Sequence, residues 1–290
     1  MASFKFHFSG ISDESNDKDS GHIEWLKSEE ILPSNQLKDL DVLAAQAKMF
    51  TCGDVEIGHV VVSNMMNYIK DKGLKNVIEL AENNHSDLVT GTYEGGLKIW
   101  ECTYDLVEFF EENPEIASFQ KLNVLDLGCG AGILGIYAFL KGAFVTFQDY
   151  VSKTKHNIAE VWFTSISTIP NVLLNIDEED NIEEEINRCK FYSGDWESFD
   201  KLLKETEKFD IILTAETIYN EKNYDKLLSL LKNRISEGGT IFVAAKTYYF
   251  GVGGGTRQFE TSLKKFDLTS EVVWKTNIGI QREILKIKTL

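Results

Sequence analysis

This sequence of 290 residues predicts an α/β protein built on a mainly parallel sheet with helices on both faces. From about residue 97 onward, apolar strand patterns alternate regularly with helical apolar patterns. Such alternation favours parallel pairing, because each helix carries the chain back to the start of the next strand. The last two strands have no helix between them, so we expect an antiparallel hairpin at one edge.

Individual elements follow from the spacing of the apolar residues. The predicted strands are 122–128, 143–149, 189–193, 209–215, 240–246, 268–275 and 281–287. The predicted helices are 97–112, 132–141, a stretch from about 152, 198–206, 223–234 and 256–265. Residues 175–187 are so acidic that we expect a solvated loop inserted before the third strand.

The N-terminal part of the chain lacks this regular alternation. Residues 1–40 are polar and acidic and predict a mobile or loosely docked tail, in which Phe4, Phe6 and Phe8 alternate like a short strand. Residues 41–90 predict an extension packed on the main domain, with helix-like and strand-like pieces at 44–50, 57–62 and 65–72. The main domain is then expected over residues 91–290.

Charge and cysteine usage restrict the classes of partner. Forty-six acidic against 30 basic residues give a net charge of −16, which argues against binding nucleic acid or an anionic membrane surface. It suits a basic protein partner, although solubility alone also explains it. The sequence shows no apolar membrane segment, and the four cysteines lack paired spacing. We therefore expect a cytosolic or nuclear monomer with reduced thiols.

The strand–turn–helix at Val124–Ile136 is the strongest indication of a ligand site. Glycines at 128, 130, 132 and 135 allow the backbone to approach a nucleotide-like ligand closely, although they can also serve tight packing alone. Asp126, just before these glycines, would repel a pyrophosphate but tolerates a sulfonium cation such as S-adenosylmethionine. Asp149 ends the next apolar run, about 20 residues on, where an acid binds ribose hydroxyls.

A family resemblance becomes specific when further motifs are added. The sequence resembles the histidine protein methyltransferase family at Tyr93–Asp105, Val124–Ile136, Phe147–Tyr150, Phe191–Trp196, Thr214–Asn220 and Tyr249–Gly255. The resemblance implies a seven-stranded, Rossmann-like class I methyltransferase sheet with S-adenosylmethionine as cofactor. It also implies methylation of a histidine on a basic protein, a large-subunit ribosomal protein. The Trp-Glu and Glu-Thr-Ile-Tyr elements are shared with related protein-lysine methyltransferases.

The resemblance also assigns candidate site residues. The expected cofactor-binding residues are Trp100, Glu101, Asp126, Gly128, Cys129, Gly130, Gly132, Asp149, Tyr150, Asp195, Trp196 and Ala215. Asp195 would accept from the adenine amino group. Glu216, just past the fourth strand, would accept from the histidine N–H that is not attacking, with Tyr219 or Asn220 as alternatives.

Each assignment has a structural alternative. Trp100 could be a core aromatic residue, Asp195 a solvated turn acid, and Glu216 a helix cap. The glycines of 251–255 predict either a segment beside the substrate groove or a surface loop. Two other functions stay open: a protein-lysine methyltransferase, and a methyltransferase-like scaffold that binds a ribosomal protein without turnover.

Overall fold

The computed structural model describes residues 27–33, 40–45, 47–61, 98–150, 167–177 and 181–290. The strands are β1 (Glu29–Glu30), β2 (Ala47–Cys52), β3 (Val55–Val60), β4 (Asn123–Leu127), β5 (Phe144–Asp149), β6 (Cys189–Ser193), β7 (Phe209–Ala215), β8 (Ile235–Lys246), β9 (Leu268–Lys275) and β10 (Arg282–Thr289). The α-helices are α1 (Leu40–Ala44), α2 (Glu101–Glu112), α3 (Ile133–Leu140), α4 (Ile169–Leu173), α5 (Ile182–Ile186), α6 (Trp196–Leu202), α7 (Tyr224–Arg234) and α8 (Thr256–Leu263). Across these residues, no helix has the length and apolar character that a membrane crossing requires.

The main sheet confirms the predicted fold class. Within the described residues it contains eight strands, in the order β1-β6-β5-β4-β7-β8-β10-β9. Strands β4 to β8 pair in parallel, whereas β10 pairs antiparallel with both β8 and β9. The predicted count of seven strands is wrong by one, because the short strand β1 adds antiparallel to β6 at the opposite edge.

Strand β1 lies within the segment that the sequence assigned to the N-terminal tail. The Ile31 backbone N–H donates to the Phe191 carbonyl at 2.8 Å, and the Ile31 side chain is buried. The Ser28 N–H donates to the Ser198 hydroxyl at 2.7 Å. The chain is therefore docked on the sheet edge at these residues, while Phe4, Phe6 and Phe8 lie outside the described residues.

The hairpin of β2 and β3 packs on the helices that cover one face of the sheet. Phe50 stacks on Tyr104 of α2, with the ring centroids 4.4 Å apart. The Gly58 and Val60 N–H groups donate to the side chains of Asn175 and Asn171 at 2.9 and 2.8 Å. These hydrogen bonds satisfy backbone groups on the open edge of the hairpin and fix its position. The predicted piece at 65–72 lies outside the described residues.

Helix caps explain two of the differences between the observed and the predicted elements, those at α5 and α6. The acidic stretch before β6 contains α5, not only loop, because Asn181 accepts from the Glu183 N–H at 3.1 Å and acidic side chains stabilise a helix N-terminus. Helix α6 begins at Trp196, two residues earlier than predicted, because Asp195 caps it. Helix α2 begins at Glu101 rather than 97, and β8 begins at Ile235 rather than 240. The helix predicted from 152 lies outside the described residues until α4.

Two apolar clusters cover the two faces of the sheet. On β4, Val124 belongs to one cluster and Leu125 and Leu127 to the other, as the alternation of side chains along a strand requires. The parallel pairing brings the carboxyl ends of β4, β5, β6, β7 and β8 to one edge of the sheet. In open α/β sheets, ligands bind at that edge.

Candidate active site

A cavity of about 330 Å³ opens at the carboxyl ends of the parallel strands. Twelve of the predicted site residues line it: Trp100, Asp126, Gly128, Cys129, Gly130, Asp149, Tyr150, Asp195, Trp196, Ala215, Glu216 and Tyr219. Three others do not, namely Glu101, Gly132 and Asn220. Gly132 is instead the N-cap of α3, and the Glu101 side chain is 56% exposed.

The glycine loop between β4 and α3 forms the floor of one end of the cavity. Gly128 has a φ of +67°, and a Cβ atom there would lie 2.6 Å from Thr217 Cγ2. Only glycine therefore fits both the backbone conformation and the space. The Gly130 N–H donates to the carboxylate of Asp149 at the end of β5. The loop consequently presents bare backbone to the cavity, and its position is fixed by an acid on the neighbouring strand.

Asp149 is a buried carboxylate on the cavity wall. Besides the bond from Gly130, it accepts from the Tyr150 N–H at 2.6 Å. Burial raises the pKa of Asp149 to about 6, and these two hydrogen bonds oppose the rise. A carboxylate has about four lone-pair directions, so two donors leave capacity for further ones. Ligand hydroxyl groups are suitable further donors.

Asp126 lines the cavity but also stabilises the start of α3. Its carboxylate accepts from the Gly135 N–H at 2.8 Å, one of the backbone donors that a helix leaves unsatisfied in its first turn. Burial raises the pKa of Asp126 to about 7, and the nearby charge of Asp149 adds to the rise. The two acids are therefore coupled at the same end of the cavity.

Asp195 caps helix α6 and also lines the cavity. One oxygen caps α6 by accepting from the Glu197 N–H at 3.1 Å, and the other lies 2.5 Å from Lys226 Nζ. Both side chains of this ion pair are mostly buried. Lys226 lines the cavity although the sequence reasoning did not select it. The predicted contact of Asp195 with adenine stays a prediction.

Glu216 occupies a strained turn directly after β7. Its φ of +59° is unusual for a residue with a side chain and costs about 1–2 kcal/mol. The turn is held by hydrogen bonds from Glu216 N–H to the Ala244 carbonyl at 2.9 Å and from the Thr214 hydroxyl to the Leu127 carbonyl at 2.7 Å. A strained conformation that the surroundings enforce is typical of functional sites.

The helix-cap alternative for Glu216 is wrong. The short 3-10 turn Glu221–Asn223 is capped by Asn220, whose side chain accepts from the Lys222 N–H at 3.1 Å. Asn220 is thus engaged outside the cavity, which removes the geometric basis for its predicted catalytic role. Trp100 is also not a core residue: it is the N-cap of α2, only half-buried, with its side chain at the cavity.

The surroundings of the Glu216 carboxylate contain three residues that the sequence reasoning did not select: Lys246, Tyr249 and Cys102. Its Oε1 atom is buried and accepts no hydrogen bond from any residue that the structure describes. Lys246 Nζ, at the end of β8, lies 3.6 Å from that atom. Burial, with the charge of Glu216 second, raises the pKa of Tyr249 and of Cys102 well above their usual values. The hydroxyl and thiol near Glu216 therefore stay protonated. A buried acceptor without a donor, on a cavity wall, indicates a place for a ligand donor.

The glycine-rich segment of 251–255 contributes Val252 to the cavity wall, and its last two residues pack beside the turn that carries Glu216. The Gly255 N–H donates to the Ile218 carbonyl at 3.1 Å, and the Tyr249 N–H donates to the Gly254 carbonyl at 3.2 Å. A Cβ atom on Gly254, whose φ is +71°, would lie 2.5 Å from the Ile218 carbonyl oxygen. The segment is therefore packed against the Glu-Thr-Ile-Tyr turn at this end, whereas Gly251 and Gly253 face open space.

Comparison with known proteins agrees with this geometry. A family model described as lysine methyltransferase matches residues 82–251. A histidine protein methyltransferase 1 homologue from Dictyostelium discoideum is 46% identical over 206 residues, covering 70% of this chain and 60% of the relative. A Bos taurus protein of the same name is 40% identical, covering 70% of this chain and 57% of the relative. The chain thus spans less than two thirds of the length of these relatives.

A more distant relative carries a different name. The EEF1A lysine methyltransferase 3 of Mus musculus is 26% identical over 152 residues, covering 51% of this chain and 55% of the relative. The family match supports S-adenosylmethionine, the predicted cofactor. The chain belongs to the protein methyltransferase family described as lysine methyltransferase, among relatives that carry the name histidine protein methyltransferase.

Proposed function

We propose that this chain transfers a methyl group from S-adenosylmethionine to a histidine side chain of a protein. The observation that carries the proposal is Glu216: a buried carboxylate in a strained turn at the cavity, with one oxygen that accepts no hydrogen bond from the described part of the chain. The names of the similar relatives support histidine as the acceptor.

The cavity residues fit the cofactor. S-adenosylmethionine supplies an electrophilic methyl group on a sulfonium. Gly128 and Gly130 leave bare backbone at the cavity, and Asp149 offers lone pairs to ribose hydroxyls. Asp195 and Trp196 lie just after the neighbouring strand β6, at the start of α6, and would face the base. These residues together would bind and orient the donor.

On the acceptor side, the hydrogen-bonding role proposed for Glu216 suits a histidine imidazole ring. Histidine has a pKa of about 6.5, so its ring is mostly neutral at pH 7.5 and needs no base before attack. Glu216 would accept the N–H of the nitrogen that is not methylated. That bond selects the reacting tautomer and stabilises the positive charge that develops on the ring.

We propose further that the protein substrate is basic, as a large-subunit ribosomal protein would be, and that the enzyme meets it in the cytosol or nucleus. The net charge of −16 supports a basic partner. Electrostatic steering should then make the association rate fall as salt rises, because the Debye length shortens to about 8 Å at 0.15 M. An association rate that does not respond to salt would contradict this part of the proposal.

The proposal is tested by identifying the methylated amino acid. The enzyme is incubated with methyl-labelled S-adenosylmethionine and basic proteins extracted from large ribosomal subunits, and the hydrolysed product is separated chromatographically. We expect labelled methylhistidine, lost in Glu216→Gln. Labelled methyllysine alone would indicate a lysine methyltransferase. Binding of S-adenosylhomocysteine without any incorporation would favour the non-catalytic scaffold.

A further inference from the structure

Lys246 is a cavity residue that the proposed chemistry has not used. Its backbone ends β8 and pairs with Arg282 of β10, so the origin of the side chain is fixed by the sheet. The side chain is 15% exposed, and its ammonium group reaches the same end of the cavity as Glu216.

Among the described residues, four groups lie around this ammonium. Nζ lies 3.6 Å from Glu216 Oε1 and 3.7 Å from Glu101 Oε2. It also lies 5.1 Å from the centre of the Trp100 ring and 5.6 Å from that of Tyr249. Two carboxylates and two aromatic faces within these distances are the groups with which proteins bind an ammonium ion. Trp100 carries a further ammonium, that of Lys98, at 4.6 Å.

We propose that Lys246 is a specificity-determining residue, whose ammonium fills the subsite that a substrate lysine would otherwise occupy beside Glu216. This inference rests on the proposed function, since it concerns the choice of histidine over lysine. A substrate ammonium brought to Glu216 would have to displace Lys246 or lie beside it, and like charges at such distances repel. A neutral imidazole meets no such repulsion. The chain would thereby discriminate by an element that disfavours the wrong substrate.

Removing the ammonium should change which amino acid is methylated. Lys246→Met keeps most of the side-chain volume and removes the charge, whereas Lys246→Arg is the matched control that keeps a cation. Both are assayed on basic ribosomal proteins with labelled cofactor at pH 9, where about 4% of an ordinary lysine amine is unprotonated. In that reaction the unprotonated amine would attack the sulfonium methyl group: the new C–N bond forms as the C–S bond breaks, S-adenosylhomocysteine leaves, and the methylammonium product can lose a proton to solvent.

We expect wild type and Lys246→Arg to yield methylhistidine with little methyllysine. Lys246→Met should raise the ratio of methyllysine to methylhistidine at least tenfold. An active Lys246→Met variant with an unchanged ratio would overturn the inference and leave the proposed function intact. Methyllysine as the sole product of the wild type would instead overturn the proposed function.

A second measurement decides the matter if Lys246→Met is inactive or does not fold. The wild-type enzyme is inhibited with 4-methylimidazole and with n-butylammonium, which imitate the two side chains. We expect 4-methylimidazole to inhibit at a concentration at least tenfold lower at pH 7.5. Equal inhibition by the two compounds would show that the ammonium of Lys246 does not exclude another, and would overturn the inference without any variant.

Discussion

The two ends of the cavity differ in how completely their polar groups are satisfied. At the donor end, formed by Gly128, Gly130, Asp149 and Asp195, the carboxylates already accept backbone hydrogen bonds or an ion pair. At the acceptor end, Glu216 Oε1 accepts no hydrogen bond among the described residues and has only the longer ion pair with Lys246 at 3.6 Å, and the backbone of Glu216 is strained.

This difference fits the tasks proposed for the two ends. A cofactor common to many enzymes can be bound by a rigid surface made of strand ends and a glycine loop. The carboxylates of such a surface are held in place by hydrogen bonds and ion pairs within the protein. Stabilising charge that appears only during reaction requires a group that is held in place and can still accept a hydrogen bond from the reacting ring. The packing of the surrounding sheet offsets the conformational strain at Glu216 and so enforces the strained turn.

The largest expected effect is at the acceptor end. Glu216→Gln keeps the size of the side chain and the same backbone conformation but removes the charge. We expect turnover to fall about 100- to 1000-fold, as for loss of one electrostatic stabiliser. Single-turnover rates measure this, and calorimetry should show nearly unchanged S-adenosylhomocysteine affinity. Glu221→Gln, an exposed residue nearby, is the matched control. Normal turnover in Glu216→Gln would remove Glu216 from the catalytic residues.

The sequence predicted the donor end more completely than the acceptor end, for a physical reason. Asp149 is the last residue of β5 and Asp195 comes two residues after β6, so both acids mark the edge of the sheet where ligands bind. Lys246 ends β8 in the same way and could have been found by this rule. Its contacts with Trp100 and Glu216 depend on three distant segments meeting, which no local pattern encodes.

The fold shows the same division between local and long-range information. Strands β7 and β9 have the predicted bounds, because their apolar runs are long and clearly interrupted. Helix α5 was missed because it buries only Ile186 and its start is set by the Asn181 cap rather than by an apolar period. Strand β1 was missed because it has two exposed glutamates and is recognisable only by its pairing with β6.

The next effect concerns the donor end. Asp149→Ala removes a buried acceptor and should weaken S-adenosylhomocysteine binding by about 1–3 kcal/mol, roughly five- to 150-fold. Isothermal titration calorimetry measures this loss. Asp177→Ala removes an exposed acid and should leave the affinity unchanged. An Asp149→Ala variant that binds the ligand like the wild type would mean that the cofactor lies elsewhere.

Acid should weaken the same interaction by a smaller factor. The pKa of Asp149 is about 6 in the folded protein and about 3.9 when unfolded, so ionising it destabilises the ligand-free protein as pH rises from about 4 to about 6. Hydroxyl donors of a bound cofactor favour the ionised form. Affinity for S-adenosylhomocysteine should therefore fall about tenfold between pH 7 and pH 5.

The control for this pH dependence must separate two coupled acids. Asp126, whose pKa is about 7, also titrates in this range and could itself cause a fall in affinity at low pH. Calorimetry across the pH range should show the decline in wild type and in Asp126→Asn, but a flat response in Asp149→Asn. A decline that survives in Asp149→Asn and disappears in Asp126→Asn would assign the titration to Asp126 and contradict the prediction.

The smallest expected effect tests whether the glycine-rich segment positions the acceptor end. Gly253 and Gly254 both have positive φ, so alanine at either position costs about 1–2 kcal/mol in backbone strain. At Gly254 the new Cβ would also lie 2.5 Å from the Ile218 carbonyl oxygen and 2.8 Å from Tyr219 backbone carbon, whereas at Gly253 it meets open space. Gly254→Ala should therefore lose about 1–3 kcal/mol more stability than Gly253→Ala in thermal unfolding, as overpacked sites do.

The turnover of Gly254→Ala should also fall several-fold, while its S-adenosylhomocysteine affinity stays unchanged. The backbone shift caused by the new Cβ atom reaches Tyr219 and Glu216 but not Asp149. Equal stability and equal turnover in the two variants would show that the segment does not hold the turn that carries Glu216.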